Sequence, residues 1–306
     1  MSCVEEADMC LSVSAPLVSI ILPTRNRALL LPRAIASLRA QTAPNFEVVV
    51  VDNSDPATAL VSSKSVPGLD DPRFRIVRAV DARNAGSARN VGLDAAVGEW
   101  ITFLDDDDAY AGKKIAAQLS LALRTTSPLV LCGARFHLRG RARVRHTETD
   151  VVSGDALLND AGLGTPFLFH RRTGVRFDET LSSGEDMHYA HALLAAFDLR
   201  SVPVAAEPLV DVYQDAPLLP RTNLRADAGW RATCRVLRQF GGRFSSAARR
   251  LFVLRACIAR AKLRGEPCRV ARLAPALVRA GGAGQLRFAL NALLVSAGIG
   301  RGRWVT

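Results

Sequence analysis

The sequence predicts an α/β fold in which a mostly parallel sheet is flanked by helices and followed by a basic helical extension. Apolar runs alternate with helical patterns over residues 17–110, an order typical of an open parallel sheet. Charge divides the chain as well. Of its 40 basic and 29 acidic residues, 18 and 2 lie in residues 216–306, so this segment carries +16 and residues 1–215 carry −5. A sheet domain and a separate basic segment are therefore expected.

Four strands are predicted in the first part of the chain: LVSIIL (17–22), FEVVVV (46–51), RFRIVRAV (73–80) and EWITFL (99–104). The first, second and fourth are short apolar runs of the kind found in strands covered on both faces. Helices are predicted between them, because Leu30, Ala34 and Leu38 repeat at helical spacing and GSARNVGLDAAVG ends at Gly98, a residue typical of helix C-termini.

The pattern after residue 110 predicts mixed structure and then helices. The predicted elements are a helix from after Lys113 to about Arg124, strands over 128–138 and 141–148, a loop-rich stretch over 151–170, a helix over 184–197, and short strands over 201–204 and 208–212. From residue 222 onward, apolar residues at helical spacing alternate with arginines. This pattern predicts amphipathic helices with basic polar faces.

Composition limits the class of protein and its location. The 306 residues are 49% hydrophobic and 23% charged, which is ordinary for a globular protein. No apolar run reaches the roughly 18 residues of a membrane span, and residues 1–16 lack the basic start and apolar run of a secretory signal. The six cysteines show no zinc spacing, which favours reduced thiols. We therefore expect a cytoplasmic protein, either free or peripheral on the inner face of the cell membrane.

Polar clusters follow three of the predicted strands. They are Thr24 to Asn26, Asp52 to Asp55, and Asp105 to Asp108. In an open parallel sheet, ligands bind outside the carboxyl ends of the strands. The three clusters are therefore expected to open onto one edge of the sheet and to form a site there.

The run of four aspartates has two interpretations. Two charges ~4 Å apart repel by about 1 kcal/mol in water and by more in a partly buried site. The run is either a solvated acidic turn or a cation site, in which a hard metal offsets the repulsion. Mg²⁺ and Mn²⁺ use one or two carboxylates and complete their coordination with water and phosphates. Asp105 and Asp107 form an Asp-x-Asp pair suited to such an ion.

Other candidate residues also have more than one interpretation. Asp52 ends a strand and is a second metal ligand, a contact to a base or ribose, or a turn former. The segment RNAGSARNVG, from Arg83 to Gly92, either contacts phosphate or ribose or caps a helix. Asp186 at a helix start is either a capping acid or a general base, which must reach an acceptor hydroxyl. The sequence contains no G-x-G-x-x-G, H-E-x-x-H, G-x-S-x-G or Walker A motif, so it does not support the corresponding enzyme classes.

Taken together, these segments resemble the family 2 glycosyltransferases. VSIILPTRNR, FEVVVVDNSD, RNAGSARNVGLDAAVGEWITFLDDDD and GED occur in the order and spacing of that family. The resemblance covers roughly residues 17–213. It implies the GT-A fold, which is Rossmann-like, and inverting transfer of a sugar from a nucleoside diphosphate. The Q-x-x-R-W signature of processive members is absent after Asp186, which favours addition of a single sugar.

The resemblance also implies roles for individual residues. Asp186 matches the catalytic base, and Asp105 and Asp107 match the metal-binding D-x-D, with Mn²⁺ or Mg²⁺ as the expected ion. The residues that match positions near the nucleotide sugar are Pro23, Thr24, Arg25, Arg27, Asp52, Asn53, Arg83, Asn84, Arg89, Asp105 and Asp106. The expected division is a tail over 1–16, a catalytic domain over 17–215 with donor and acceptor halves meeting at about residue 110, and the basic segment over 216–306.

The expected partners follow from the same resemblance. The donor is a nucleoside diphosphate sugar, of the UDP or dTDP type, and the acceptor is a glycan or a lipid-linked hydroxyl in cell-surface polysaccharide, lipopolysaccharide or glycoconjugate synthesis. A sugar nucleotidyltransferase and a catalytically silent nucleotide-sugar-binding protein are the alternatives. The basic segment is either a dock for a membrane surface or a solvated helical cap. Nucleic acid is not expected as a partner, because no known module is visible.

Overall fold

The computed structural model describes residues 17–55, 57, 61, 62, 64–138, 141–145, 150–159, 167–213, 226–282 and 284–297. The first part of the chain forms β1 (Val18–Thr24), α1 (Leu31–Arg39), β2 (Phe46–Asp52), β3 (Phe74–Arg78), α2 (Ala85–Ala95) and β4 (Trp100–Phe103). All four predicted strands and both predicted helices are therefore present. The continuous apolar runs of β1, β2 and β4 are buried along their length, as expected for strands covered on both faces. β3 contains two arginines and is only partly buried, because it lies at the edge of the sheet.

The second part contains strands that the sequence pattern does not predict. Its elements are β5 (Ala109–Tyr110), α3 (Lys114–Thr125), β6 (Leu129–Leu138), β7 (Arg141–Arg145), β8 (Val151–Ser153), α4 (Gly154–Asn159), β9 (Leu168–His170), α5 (Glu185–Ala196) and β10 (Ser201–Tyr213). The stretch over 151–170, predicted to be loop-rich, contains β8, α4 and β9 in its described part. The two short strands predicted near residues 201–212 are one strand, with register shifts on both sides of Pro208.

One sheet carries these strands in the order β3-β2-β1-β4-β9-β6-β10-β5, with β7 beside β6 and β8 beside β10. The pairs among β3, β2, β1 and β4 are parallel, as predicted. β9 is antiparallel to both of its neighbours, and β6 and β10 are parallel to each other. Because β9 reverses direction between them, β6 and β10 run the same way as β1. The carboxyl ends of both groups of strands therefore lie at one edge of the sheet.

Apolar cores cover both faces of the sheet. One core packs α1 and α3 against the strands, and the other packs α2 and α5 against the opposite face. The second core contains an aromatic cluster in which the Phe177 and Tyr189 rings stack at 3.9 Å. Gly92 lets α2 approach the sheet closely, since a Cβ there would lie 2.3 Å from Ile21 Cγ2. These cores fix the edge where the polar segments emerge.

The basic segment folds into helices α6 (Ala226–Phe240), α7 (Ser246–Leu263), α8 (Pro267–Gly281) and α9 (Gly284–Ser296). Helices α7, α8 and α9 share a core around Ile258 and Leu277. Helix α6 packs through Val236 in a separate cluster with α4 and α7, and it also contacts α5. No helix among the described residues has the length and apolar character to cross a bilayer. The expected domain boundary after residue 215 and the expected tail over 1–16 lie outside the described residues, so both remain predictions.

Candidate active site

The polar clusters after β1, β2 and β4 meet at the carboxyl edge of the sheet. Thr24 donates from Oγ1 to Asp106 Oδ2 over 2.7 Å. The backbone N–H of Asn53 donates to the Thr24 carbonyl oxygen over 2.9 Å. Both Thr24 and Asn53 are buried. The parallel pairing of β1 with β2 and β4 thus brings the segments that follow these strands into direct contact.

Arg27 lies against the middle of the acidic run. Its two terminal nitrogens donate to Asp106 Oδ1 over 2.9 Å and to Asp107 Oδ2 over 2.7 Å. Burial raises the pKa of Asp106 to about 7, while Arg27 and Thr24 act in the opposite direction. A carboxyl group whose ionisation is suppressed repels its neighbours less. Burial of Asp106 and the charge of Arg27 therefore both reduce the repulsion within the run.

Arg89 joins the acidic run to the helix that carries the predicted base. Its guanidinium is buried, at 5% exposure. It donates to Asp105 Oδ1 over 2.7 Å and to Glu185 Oε1 over 3.3 Å. Burial opposes the charge, but Asp105 and Glu185 raise the pKa of Arg89, so it stays protonated. The loop after β4 and the first turn of α5 consequently share one guanidinium.

Asp186 is the second residue of α5, and its surroundings suit a proton acceptor. It is partly buried, and its Oδ1 accepts a hydrogen bond from the Met187 N–H over 2.8 Å. Burial, followed by the charge of Glu185, raises the pKa of Asp186 above its ordinary value, while Arg89 lowers it. A raised pKa makes a carboxylate a stronger base at neutral pH. The position in the first turn is also favoured by the helix dipole.

Asp108 has a different role from the three aspartates before it. Its Oδ1 accepts a hydrogen bond of 2.9 Å from the backbone N–H of Tyr213, the last residue of β10. This bond fastens the acidic loop to the far part of the sheet. The four adjacent aspartates are thus tolerated because Arg89, Arg27 and the Tyr213 N–H, from distant parts of the chain, donate hydrogen bonds to them. The spacing in the sequence does not reveal these partners.

A second polar cluster lies beyond Asp108, at the carboxyl ends of β6 and β10. The Tyr213 ring lies between the Arg33 guanidinium at 3.8 Å and the His137 ring at 4.5 Å. Asp211 Oδ1 accepts a hydrogen bond from Arg135 over 2.9 Å and lies 2.7 Å from His137 Nε2. The cluster occupies the same edge of the sheet as the acidic run, because β6 and β10 run parallel to β1.

Sequence reasoning missed this second cluster, although a signal was present. Polar residues alternate with Phe136 at the end of β6 and with Val212 at the end of β10. In a strand, such alternation places the polar residues on one face. The pairing of Asp211 with Arg135 and of Tyr213 with His137 depends on the register of two strands far apart in the chain.

Asp52 is buried, and its contacts within the protein hold the loop that follows β2. It accepts hydrogen bonds from the backbone N–H groups of Ser54 over 2.9 Å and Val61 over 3.1 Å, and it pairs with Arg78. Burial opposes ionisation, but the bonds from Ser54 and Val61 and the charge of Arg78 lower the pKa of Asp52. These contacts match the turn-forming interpretation, and a contact of Asp52 with a nucleotide remains a prediction.

The other predicted nucleotide contacts fall at the rim of this edge or at the start of α2. Pro23 is partly buried, and Arg25 is exposed and pairs with Asp55 over 3.3 Å. Asn84 caps α2 by accepting the Ser87 N–H over 2.9 Å, which matches the capping interpretation. Arg83, just before it, is exposed. Their roles toward a nucleotide sugar also remain predictions.

The chemistry of Asp105 and Asp107 fits a divalent ion that substrate phosphates help to hold. One oxygen of each carboxylate is engaged, Asp105 Oδ1 by Arg89 and Asp107 Oδ2 by Arg27. Among the described residues no group of three or more His, Cys, Asp or Glu side chains is placed to hold a metal. Mg²⁺ and Mn²⁺ commonly bind through one or two carboxylates plus phosphates, so a pair suffices when the substrate supplies the remaining ligands.

Comparison with known proteins identifies the fold and the family. A family model described as glycosyl transferase family 2 matches residues 19–183. The succinoglycan biosynthesis protein ExoO of Rhizobium meliloti (strain 1021) is 31% identical over 192 residues, which are 56% of this chain and 53% of that protein. The Escherichia coli UDP-Glc:alpha-D-GlcNAc-diphosphoundecaprenol beta-1,3-glucosyltransferase WfgD is 33% identical over 148 residues, 48% of this chain and 57% of that protein. The chain thus spans about half the length of these curated relatives.

The crystal structure of S. aureus TarS in complex with UDP-GlcNAc superimposes with a TM-score of 0.63 at 15% identity and covers 91% of this chain and 88% of that one. This likeness confirms the predicted GT-A fold. The family match extends from the first strand to the residue before Gly184, so it includes the acidic run and stops just before α5. With the match covering more than half of the sequence, the chain belongs to the family 2 glycosyltransferases.

Proposed function

We propose that the protein transfers one sugar from a nucleoside diphosphate sugar to an acceptor hydroxyl, with inversion at the anomeric carbon. The observation that supports this most directly is the sharing of Arg89 between Asp105 and Glu185. The donor-side carboxylates and the first turn of α5 therefore belong to one site. Inversion requires one cleft to contain both the group that deprotonates the attacking oxygen and the groups that bind the leaving diphosphate.

Asp105 and Asp107 are the residues proposed to hold Mn²⁺ or Mg²⁺ with the donor diphosphate. When bound, the ion supplies Lewis-acid stabilisation of the charge that develops on the departing diphosphate. Arg27 and Thr24 keep Asp106 and Asp107 in place beside β1. The same contacts hold the acidic loop in one arrangement before substrate binds, which lowers the cost of ordering it during the reaction.

Asp186 is proposed to take the proton from the attacking hydroxyl. Its pKa is raised by burial, which favours proton acceptance near neutral pH, while Arg89 keeps the ionised form accessible. Positioned general bases contribute roughly 10²- to 10⁴-fold to a rate. Arg89 is proposed to orient Asp105 and Glu185 relative to each other rather than to contact the transferred sugar.

The acceptor is proposed to lie beside the second polar cluster, which includes Arg135, His137 and Tyr213. This cluster continues the same sheet edge away from the donor-side loops, and Tyr213 is bonded to the acidic loop through Asp108. A glycan or a lipid-linked sugar in cell-surface polysaccharide, lipopolysaccharide or glycoconjugate synthesis suits this position. The name of WfgD specifies a UDP-glucose donor and a diphosphoundecaprenol-linked acceptor for that relative. For this chain we propose a UDP- or dTDP-type donor and a location at the inner face of the membrane.

The proposal is tested by nucleotide release from a panel of sugar nucleotides, with lipid-linked and oligosaccharide acceptors. The Asp186→Asn variant should still bind UDP in the presence of Mn²⁺, measured by thermal shift, and should transfer sugar about 10²- to 10⁴-fold more slowly. Asp198→Asn is a matched control, since Asp198 is 86% exposed and has a positive φ of 51°, which asparagine tolerates. An Asp186→Asn enzyme with normal turnover contradicts the assignment of the base.

A further inference from the structure

Helix α9 carries a line of exposed leucines on the side that does not face the helical core. Leu286, Leu290 and Leu294 are 50%, 51% and 48% exposed. Residues four apart lie on the same side of a helix, so the three side chains form one stripe, called the leucine stripe below. Ala289 and Ala292 lie in the buried core of α7 to α9. The helix is therefore apolar on its exposed side as well as on its packed side.

Single exposed leucines are common, but a continuous apolar surface marks an interaction site. The three leucines span two turns of α9, and about half of each side chain is in contact with solvent in the described structure. The three leucines are not part of the core of α7 to α9, which on α9 contains Ala289 and Ala292 with Phe288 and Leu293 packed against it. The stripe is therefore expected to bind a partner that has an apolar surface.

The charge around the helices indicates what that occupant is. Several exposed arginines of α6, α7 and α8 form no ion pair with any described residue. They are Arg231, Arg238, Arg249, Arg250, Arg272 and Arg279. Residues 216–306 contain 18 Lys/Arg and 2 Asp/Glu. A second copy of this chain would bring two such positive regions together, which charge repulsion opposes. An anionic lipid surface offers both the opposite charge and an apolar interior.

We propose that the leucine stripe inserts into the interfacial layer of an anionic lipid bilayer while the arginines of α6 to α8 contact the headgroups. An exposed apolar surface combined with nearby basic residues is typical of such peripheral binding. The bound helix lies in the plane of the membrane surface. This inference deepens the proposed function, because it would bring the active site to a lipid-linked acceptor, but binding to lipid does not depend on catalysis.

The test is co-sedimentation of the full chain with vesicles of phosphatidylcholine alone or mixed with phosphatidylglycerol. We expect binding to the anionic vesicles, weaker binding as salt rises, and little binding to the neutral ones. The triple variant L286Q/L290Q/L294Q should bind the anionic vesicles at least tenfold more weakly. The matched control is Leu123→Gln on α3, since Leu123 is 64% exposed and lies outside the helical segment. It should bind as the unaltered protein does.

A second variant, R272Q/R279Q, keeps the stripe and removes two charges. It should bind anionic vesicles several-fold more weakly and lose part of the salt dependence. Circular dichroism and urea unfolding check that all variants fold. If the unaltered protein does not bind anionic vesicles, or if the triple variant binds them as tightly as the unaltered protein does, the proposal is wrong. Concentration-dependent self-association that the triple variant abolishes, without vesicle binding, assigns the stripe to a second copy instead.

Nucleotide release with a water-soluble acceptor separates this proposal from the proposed function. The triple variant should turn over such an acceptor at the normal rate. Vesicle binding that depends on the stripe, together with no turnover of any sugar nucleotide by any form of the protein, would support the membrane-binding proposal and contradict the proposed reaction.

Discussion

The sheet domain and the C-terminal helices use charged residues in opposite ways. In the candidate site at the carboxyl edge of the sheet, the charged side chains are buried or partly buried, and they are paired. Arg89 forms ion pairs with Asp105 and Glu185, and Arg27 forms ion pairs with Asp106 and Asp107. On α6 to α8, six exposed arginines form no ion pair with a described residue. Paired buried charges fix a geometry, whereas exposed unpaired charges remain available to a partner. The difference predicts that substitutions of the paired residues change folding and catalysis, and that substitutions of the unpaired arginines change neither.

The largest effect is expected for Arg89→Met. Its loss leaves Asp105 and Glu185 without their shared partner, and the side chains of these residues are 38% and 17% exposed. We expect a loss of about 1–3 kcal/mol in the free energy of unfolding, less than for a fully buried pair because water reaches Asp105. Sugar transfer should fall by about a hundredfold, because the loop and α5 lose their alignment. Urea unfolding and nucleotide release measure the two effects.

Arg279→Met on α8 is the matched control for Arg89→Met, since Arg279 is exposed and has no ion pair with a described residue. Its unfolding free energy and its transfer rate to a soluble acceptor should be unchanged. If the two variants lost the same unfolding free energy and the same transfer rate, the paired and unpaired arginines would not differ in their roles.

The next effect concerns Lys114, a lysine with no exposed surface that donates to Thr102 and lies over the Tyr110 ring. Burial lowers the pKa of Lys114 from 10.5 to about 7. The unfolded chain therefore holds the proton more tightly, and stability rises with pH between about 7 and 10.5 and is lowest below 7. At about 1.4 kcal/mol per pKa unit, the full effect is a few kcal/mol.

Lys114→Met should remove this dependence and unfold at a higher urea concentration than the unaltered protein at pH 6. Urea midpoints at pH 6, 8 and 9.5 test it. The neighbouring Lys113→Met is the control, because Lys113 is 59% exposed and pairs with Glu207. Parallel pH profiles for the unaltered protein and Lys114→Met would contradict the prediction.

Glycines give a smaller contrast between the two regions. A Cβ at Gly92 on α2 would lie 2.3 Å from Ile21 Cγ2 and 3.0 Å from Val51 Cγ2, both in the buried core. Gly92→Ala should therefore destabilise the protein by about 1–3 kcal/mol through overpacking. Thermal and urea unfolding measure this loss, and an unchanged midpoint would show that the sheet and α2 can separate at little cost.

The smallest effect is expected at Gly229 on α6, where a Cβ would meet no atom within 4 Å. Alanine in an open helical position reduces the conformational freedom lost on folding, so Gly229→Ala should stabilise the protein by about 0.5–1 kcal/mol. The same unfolding measurements apply. If Gly229→Ala is instead destabilised, the space around Gly229 on α6 is too small for a methyl group.

Much of the sheet domain was predictable because its signals are local. The strands β1, β2 and β4 are short apolar runs, and the acidic run follows closely after β4. The structure of the stretch over 151–170 was not predictable, since the three-residue strands β8 and β9 are too short to show an alternation of apolar and polar residues. β9 is held by its two neighbours rather than by its own sequence, and its insertion between β4 and β6 is a long-range choice.

The candidate site was predictable as a set of residues but not as a set of contacts. The Asp-x-Asp pair and the acid at the start of α5 are visible in the sequence. The pairing of Arg89 with Asp105 and Glu185 is not, because Glu185 is 96 positions from the arginine. The bond from the Tyr213 N–H to Asp108 spans 105 positions. It depends on the register of β10, which no local pattern sets.

The Arg89 guanidinium contacts both the acidic loop and the first turn of α5, and so links two segments that would otherwise respond separately. Replacing Asp105 changes the environment of Glu185, and the reverse holds, since each carboxylate competes for the same cation. The energetic consequences of altering the two acids therefore will not add, and a double-mutant cycle on them reads out a coupling energy. A change in the acidic loop is in this way transmitted to the first turn of α5.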